Sequence, residues 1–279
     1  MRSHILTVFP PNPRPPDFRL RPFVQGRLLD PRPAAEALAR PILDSVNIPV
    51  RELGSRVAEL PPRGHMIQVV GVVDCELAIQ SLVSRGRPAR RCDEFVFGAS
   101  NIDALPRLWR PAEWVEQSVA MLRPGRALDI ACGGGRDAVH LASLGWEVWA
   151  NDVLPDAIHR GQALAQRYAS AIEPIHWTIG TARELPKCVF APIGLLICVR
   201  FLDRELLSNA HRMMAPGGAA LVEAFTAQHR ERHGKPAGDT LVVEPDELGH
   251  IFADWEIVQL DENWRADGSH TARILARRT

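Results

Sequence analysis

Apolar positions along the chain alternate between two kinds of pattern. Short runs such as "HMIQVVGVV" (65–73), "GRALDIA" (125–131), "WEVWAND" (146–152), "IGLLICV" (193–199) and "PGGAALVEAF" (216–225) are almost wholly apolar, as strands covered on both faces are. Between them lie segments with helical spacing. The clearest is "PDAIHRGQALAQRY" (155–168), where Ala157, Ile158, Gly161, Leu164, Ala165 and Tyr168 share one face. The same reading predicts helices over "PAAEALA" (33–39), "RELGSRVAEL" (51–60), "CELAIQSLVSRG" (75–86), "PAEWVEQSVAML" (111–122), "GRDAVHLASLG" (135–145), "RELLSNAHRMM" (204–214) and "PDELGHIF" (245–252). Pro33 and Pro245 suit first turns, and Gly86 and Gly145 suit helix ends. "RLLD" (27–30), "SVNIPV" (45–50) and "EPIHWTI" (173–179) read as further strands.

This alternation predicts an α/β protein with mostly parallel sheets. From residue 111 onward seven strands are expected. The last two, "EIVQLDEN" (256–263) and "HTARILARR" (270–278), have no helix between them, so an antiparallel edge is expected. The expected organisation is a Pro- and Arg-rich, loosely packed leader (1–26), a small α/β domain (27–97), a linker (98–110) and a larger α/β domain (111–279).

Composition narrows the function classes. The formal net charge is zero, which provides no global attraction for nucleic acid or an anionic membrane, and neither partner is expected. No apolar run approaches the roughly 20 residues of a membrane span. The five cysteines, Cys75, Cys92, Cys132, Cys188 and Cys198, form no C-x-x-C pair, which argues against a disulfide framework or zinc site and for a reducing compartment. The cytoplasm is the expected location, with an Arg-containing mitochondrial leader as the alternative.

Candidate chemistry centres on "DIACGGGRD" (129–137), which joins a strand to a helix. Gly133, Gly134 and Gly135 allow a tight turn and close backbone approach to a ligand. Asp152 ends the next strand, where a carboxylate accepts ribose hydroxyls. A dinucleotide would bring a pyrophosphate against Asp129 and Asp137, which is electrostatically unfavourable; a cationic ligand suits the pair. S-adenosylmethionine carries a sulfonium, an ammonium and a ribose but no phosphate. A bare structural turn is the remaining alternative.

"LDIACGGGRDAVHLA" with "VWAND" resembles the first motif and ribose-binding acid of class I S-adenosylmethionine-dependent methyltransferases. The tail "MMAPGGAALVEAFTAQHRERHGKPAGDTLVVEPDELGHIFADWEIV" resembles the tellurite-resistance methyltransferase group. There an L-x-PGG turn, an E-x-F-T strand end, a G-[KR]-P loop and an E-L-x-x-x-F helix follow in order. The resemblance runs from about Leu108 onward and implies a Rossmann-like, seven-stranded, mostly parallel sheet and S-adenosylmethionine as cofactor. Carried onto this chain, it implies Asp129, Ala131, Gly133 and Gly135 around the methionyl part and Asp152 at the ribose. Val153 would lie against the adenine, Thr181 and Ala182 at its edge, and Val199, Arg200 and Phe201 at the fourth strand end. Ala131 replaces a common Gly, Gly180 an acid and Gly194 an Asp.

Methyl transfer needs positioning more than an obligatory triad. Arg200 and Arg204 are candidates for orienting an anionic small-molecule acceptor, and Glu223 is a candidate for its pocket. The alternatives are surface solvation or a salt bridge to Asp203 or Glu205 for the two arginines, and a structural ion pair for Glu223. "HRERH" places His229 and His233 at i, i+4; a polar lid is expected there rather than a metal site, because Arg230 stands where a zinc-protease helix needs Glu.

"LLDPRPAAEALARPILDSVNIPVRELGSRVAELP" resembles a rhodanese-like domain through Asp30, Arg32, Asn47 and Pro49. Gly71 stands at the position of the rhodanese cysteine, so the region is expected to be catalytically silent and available to a protein partner. Two alternatives to methyl transfer follow: a non-catalytic binding scaffold, and a sulfurtransferase using Cys75 at a helix N-terminus.

Overall fold

In the computed structural model of the protein, residues 7–8, 23–99, 105–169, 175–182 and 192–279 are described. Most of the expected leader, part of the expected linker, and Cys188 lie outside them. The chain divides into two compact units: Arg19–Arg110, and Pro111–Thr279 together with Met1–Phe18.

β1 (Thr7–Val8) belongs to the larger unit. The smaller unit contains β2 (Phe23–Gln25), β3 (Leu28–Asp30), α1 (Ala34–Ala39), β4 (Ser45–Asn47), β5 (Ile67–Val70), α2 (Cys75–Val83), β6 (Ala89–Cys92) and β7 (Leu105–Arg107). Its sheet has the order β4-β3-β5-β6, parallel throughout, over a core that includes Leu29, Ile48, Val69, Ala78 and Leu82. β6 was not legible in the sequence because "ARRC" has no apolar run. β2 and β7 pair with each other in a separate two-stranded ribbon. Stretches expected as leader and linker therefore carry strands, because each supplies backbone partners to the other. The helix expected over 51–60 is two single 3₁₀ turns, Val50–Glu52 and Val57–Glu59. Arg56 joins them by pairing with Glu52 (3.1 Å) and the buried Glu59 (2.6 Å).

The larger unit continues with α3 (Glu113–Val119), β8 (Arg126–Ile130), α4 (Arg136–Ser143), β9 (Glu147–Asp152), α5 (Pro155–Tyr168), β10 (Ile175–Ile179) and β11 (Ile193–Val199). Then follow α6 (Arg204–Ser208), β12 (Met214–Phe225), α7 (Ala227–His233), α8 (Glu247–Ile251), β13 (Glu256–Trp264) and β14 (His270–Arg277). The seven expected strands lie in the order β10-β9-β8-β11-β12-β14-β13. β8 to β12 are mutually parallel, and β14 runs antiparallel to both of its neighbours. The predicted antiparallel edge is present. An eighth strand, β1, adds antiparallel to β10, which the leader's composition did not signal.

Strand alternation sorts the side chains onto two faces. Leu128, Ile130, Leu196, Cys198, Val222 and Ile274 form one buried layer with Leu206, Leu207, Leu248 and Phe252 of α6 and its surroundings. The alternate positions Asp129, Ile197, Glu223 and Arg273 point to the other face, where Arg273 meets Glu113 and Trp114 of α3. From β8 the chain builds outward to β10, then crosses back to β11 on the other side of β8. This is the point where ligands bind in parallel α/β sheets. Among the described residues no helix is long and apolar enough to cross a membrane.

Candidate functional site

The turn between β8 and α4 occupies that switch point. Ala131, Gly133 and Gly135 all have left-handed backbones, with φ of 53°, 55° and 71°. Ala131 holds this conformation despite its Cβ, at a cost of about 1–2 kcal/mol relative to glycine. The two glycines have different jobs. At Gly133 an added Cβ would meet nothing within 4 Å, so this is the open position that a ligand can approach. At Gly135 it would lie 2.5 Å from Trp177 Cη2, and at Gly161 2.6 Å from Trp177 Cζ3. Gly135 therefore serves packing: it and Gly161 let the β10 tryptophan fit between the start of α4 and the middle of α5.

Hydrogen bonds set the shape of the turn. Asp152 Oδ2 accepts the Gly133 N–H (2.9 Å), and Oδ1 accepts the Leu154 N–H (2.9 Å). Asn151 donates to the Gly180 carbonyl (2.7 Å), accepts weakly from the Ala131 N–H (3.4 Å), and its carbonyl accepts the Cys132 N–H (2.9 Å). Asn151 thus ties the turns after β8 and β10 to β9. Sequence reasoning passed over it, and its only signal was its position beside Asp152.

Acidic groups dominate the electrostatics. Asp129 is 2% exposed, and its Oδ2 has no hydrogen-bond partner. Burial, then the nearby Asp137, pushes its carboxyl well above the ordinary range despite a hydrogen bond from the Ala138 N–H. Burial also raises Asp137 to about 6, although its Oδ1 accepts the Ala112 N–H (2.7 Å). Burial and these aspartates push the Cys132 thiol up as well, which makes it a poor nucleophile. A buried carboxylate with one oxygen unpartnered, beside a second carboxylate, stores a repulsion that a cation would relieve.

The other expected site residues separate into four groups. Val153 is exposed beyond β9, Thr181 is exposed and Ala182 buried after β10, and Val199 is half-buried at the end of β11. These positions rim the turn's end of the sheet. Arg200, also left-handed (φ 57°), is engaged on both sides: Nη2 with Asp267 (2.5 Å) and Nε facing Glu223 (3.6 Å). Arg204 is drawn away from the site. It forms a fork with Glu247 and donates to the carbonyls of Thr240 and Val242, clamping α6 to the segment before α8. Arg204, expected as a group that orients an acceptor, is thus engaged by Glu247 and these two carbonyls. Glu223 is 1% exposed and pairs with Arg273 (3.1 Å), which also reaches Glu113 (3.2 Å).

α7 makes the i, i+4 placement of His229 and His233 real, with ring centroids 4.5 Å apart. The rings are already engaged. His229 Nδ1 accepts the His270 N–H (3.2 Å), and His233 Nε2 contacts the Gly268 carbonyl (3.0 Å). His229 stacks on Phe225, and burial together with His233 lowers its pKa. Among the described residues no group of three or more His, Cys, Asp or Glu side chains is arranged to hold a metal ion.

In the smaller unit, Asp30 and Arg32 form a buried two-point ion pair (2.9 and 2.8 Å). Asn47 donates to both of their carbonyls, so these three residues brace the carboxyl ends of β3 and β4. A Cβ on Gly71 would lie 1.9 Å from Asp93 Oδ1, a carboxylate held by Arg91. Cys75 is 2% exposed, its thiol faces the Val69 carbonyl, and burial raises its pKa. A buried thiol with a raised pKa is disfavoured as a sulfur nucleophile, which weighs against the Cys75 sulfurtransferase alternative.

Strand order, parallel core, antiparallel edge and glycine turn together make the larger unit a methyltransferase-like α/β fold. The profile of the family described as "Tellurite resistance protein TehB" matches residues 110–271, well over half of the chain, and the protein belongs to that family. It is also similar to TehB from Haemophilus influenzae, at 20% identity over 59% of this chain and 61% of that one (TM-score 0.48). N-methyltransferase NodS from Bradyrhizobium japonicum WM9, solved with S-adenosyl-L-homocysteine, matches at 18% identity over 60% of this chain and 84% of that one (TM-score 0.48). A curated relative, Hemagglutinin 1 of Eikenella corrodens, is 24% identical over 150 residues, 53% of this chain. The match spans about half (49%) of that relative's length.

Proposed function

We propose that the protein transfers a methyl group from S-adenosylmethionine to a small-molecule acceptor. The observation that carries this reading is the buried Asp129 carboxylate, whose Oδ2 lacks a hydrogen-bond partner at a glycine turn flanked by Asp137 and Asp152. Those residues fit the cationic cofactor. Asp129 and the Gly133 backbone would hold its ammonium and methionyl part, with Ala131 and Gly135 shaping the turn. Asp152 would take the ribose, using the acceptor capacity left on each oxygen. Val153, Thr181 and Ala182 would bracket the adenine, and Val199 and Arg200 would line the sulfur side. The cofactor would supply a methyl carbon already activated by the sulfonium, leaving the protein to position the nucleophile and exclude water.

The smaller unit is read as a rhodanese-like, catalytically silent domain that serves a protein partner. The bracing roles of Asp30, Arg32 and Asn47 and the occupied space at Gly71 support this. A non-catalytic scaffold is the second reading of the whole chain, favoured by Gly180, where the adenine edge lacks an acid.

Isothermal calorimetry of the full chain with S-adenosylmethionine and S-adenosylhomocysteine tests the proposal. Binding of both is expected, and a folded protein that binds neither would sink it. Binding without methyl transfer to any component of a metabolite extract would select the scaffold.

A further inference from the structure

Two short loops of the smaller unit meet at the amino ends of β5 and β6. One, "PPRGHM" (61–66), leads into β5, and the other, "SRGRPAR" (84–90), runs from the end of α2 into β6. The Ile67 N–H donates to the Pro88 carbonyl (2.9 Å), which holds them side by side. Between them they carry Arg63, Arg85, Arg87 and Arg90, and no acid. Each has a glycine with a left-handed backbone, Gly64 (φ 86°) and Gly86 (φ 68°). A Cβ added at Gly64 would meet nothing within 4 Å, and at Gly86 its nearest neighbour would be Arg63 Nη1, at 3.8 Å. The Arg63 guanidinium therefore lies beside Gly86, next to Arg87.

Arg87 is 8% exposed, yet among the described residues its side chain bonds only the Pro61 carbonyl, which accepts from Nη1 (2.7 Å). Arg32 and Arg273 are buried to a similar degree, and each has a carboxylate, Asp30 and Glu223. Burial, then the Arg63 charge, holds the Arg87 guanidinium below its ordinary pKa. Arg85 donates to the Ser81 carbonyl (2.7 Å) and hydroxyl (2.6 Å) at the end of α2. Among the described residues no carboxylate pairs with Arg63, Arg85 or Arg87. The negative end of α2 supplies about half an elementary charge, against three guanidiniums. A buried, uncompensated charge beside a like one is costly unless an anion completes the set.

We propose that this loop pair binds the phosphate group of a small molecule, with Arg87 at its base and Arg63 and Arg85 at its rim. The inference is independent of the methyltransferase reading. Guanidiniums grip phosphate oxygens through paired N–H donors. A phosphate monoester carries about two negative charges near neutral pH and a carboxylate one, so the phosphate matches Arg87 and Arg63 together. The two glycines let its oxygens approach the backbone. Loops this short offer one point of contact, and a chain with no net charge has no wider field to hold an extended polyanion.

The test uses the ¹⁵N-labelled full chain, titrated at constant ionic strength with inorganic phosphate, glycerol phosphate, acetate and an acidic peptide. Saturable NMR shifts of the Gly64 and Gly86 amides with the two phosphates, and much weaker ones with acetate, are the expected result. Phosphate should also raise the Tm of the parent protein. Arg63→Ala should weaken phosphate binding at least about tenfold, through loss of a charge-assisted contact, and Arg87→Met should do the same. Four outcomes overturn the inference. These are no saturable shift, shifts centred on the Gly133–Gly135 amides instead, unchanged affinity in folded Arg63→Ala, and acetate or the acidic peptide binding as tightly as phosphate. If Arg87→Met does not fold, Arg63→Ala and Arg85→Ala decide, because both side chains are exposed.

Discussion

Gly135 and Trp177 pack so closely that a single added methyl group on the glycine would come within 2.5 Å of the indole. The third glycine of the turn is therefore fixed by the tryptophan of β10 and not by a ligand. The turn's floor is set by packing, and only its Gly133 side is left open to bind.

Gly135→Ala should destabilise the fold by at least about 2 kcal/mol, because strain at positive φ adds to overpacking against a large ring. Gly133→Ala has the same backbone penalty but no clash, and should cost about 1 kcal/mol. Thermal melts give the first comparison, and cofactor titration the second. Gly133→Ala should weaken binding more than its stability cost implies. Equal melts for the two variants would contradict this division of labour.

Asp129→Asn should separate binding from folding. The Asp129 carboxyl is buried with its Oδ2 unpartnered and its pKa raised, so replacing it by the neutral amide leaves stability unchanged or higher. The same change removes a charge-assisted contact worth about 1.5–3 kcal/mol, so S-adenosylmethionine affinity should fall at least about tenfold. Calorimetry and a melt of one preparation check both halves.

Asp137 predicts a pH dependence. Its folded pKa, about 6, lies above the ordinary carboxylate value of 3.8. Between those values the folded protein holds more protons than the unfolded chain, so this group lowers stability as pH rises from about 4 to about 6. The groups facing it include Asp129 of β8, Glu223 of β12, Arg136 of α4 and Arg200 after β11. A bound cation favours the ionised carboxylate. The preference for S-adenosylmethionine over neutral-sulfur S-adenosylhomocysteine should therefore grow as pH rises through about 6, and a flat ratio from pH 5 to 7.5 would refute it.

Arg204→Ala should cost stability without changing cofactor affinity. The guanidinium holds Glu247 and two carbonyls, which is a structural clamp, and about 1–2 kcal/mol is expected after discounting for its partial exposure. A selective loss of acceptor turnover with an unchanged melt would instead return Arg204 to the site.

Cys75 should resist thiol-specific reagents in the folded protein and react only after unfolding, since its thiol is buried and its pKa raised. Sulfur transfer from thiosulfate that depends on Cys75 would overturn this.

Much of the architecture was legible because periodicity reports burial. Fully apolar runs marked β5, β8, β11 and β12, and helical spacing marked α5, with its glycine at 161 already on the buried face. β6 escaped because "ARRC" is a half-exposed edge whose pairing with β5 is a backbone matter. β2 and β7 escaped for a similar reason: among the described residues each pairs only with the other, about 80 residues away, and neither carries a pattern of its own. The expected helix over 51–60 had suitable spacing, but Arg56 found better partners across two separate turns.

At the site, sequence alone determined the chemistry available: a glycine turn, the acids at 129, 137 and 152, and the arginines near the fourth strand. These follow from local residue type and spacing along one chain segment. Which carboxylate is left unpartnered, and which arginine is already spent, depends on contacts between residues up to 160 positions apart, as between Glu113 and Arg273. Asp267 claims Arg200, Glu247 claims Arg204, and Trp177 claims Gly135. A side chain's charge is written in the sequence. Whether that charge remains available is decided only when folding brings its competitors within hydrogen-bond reach.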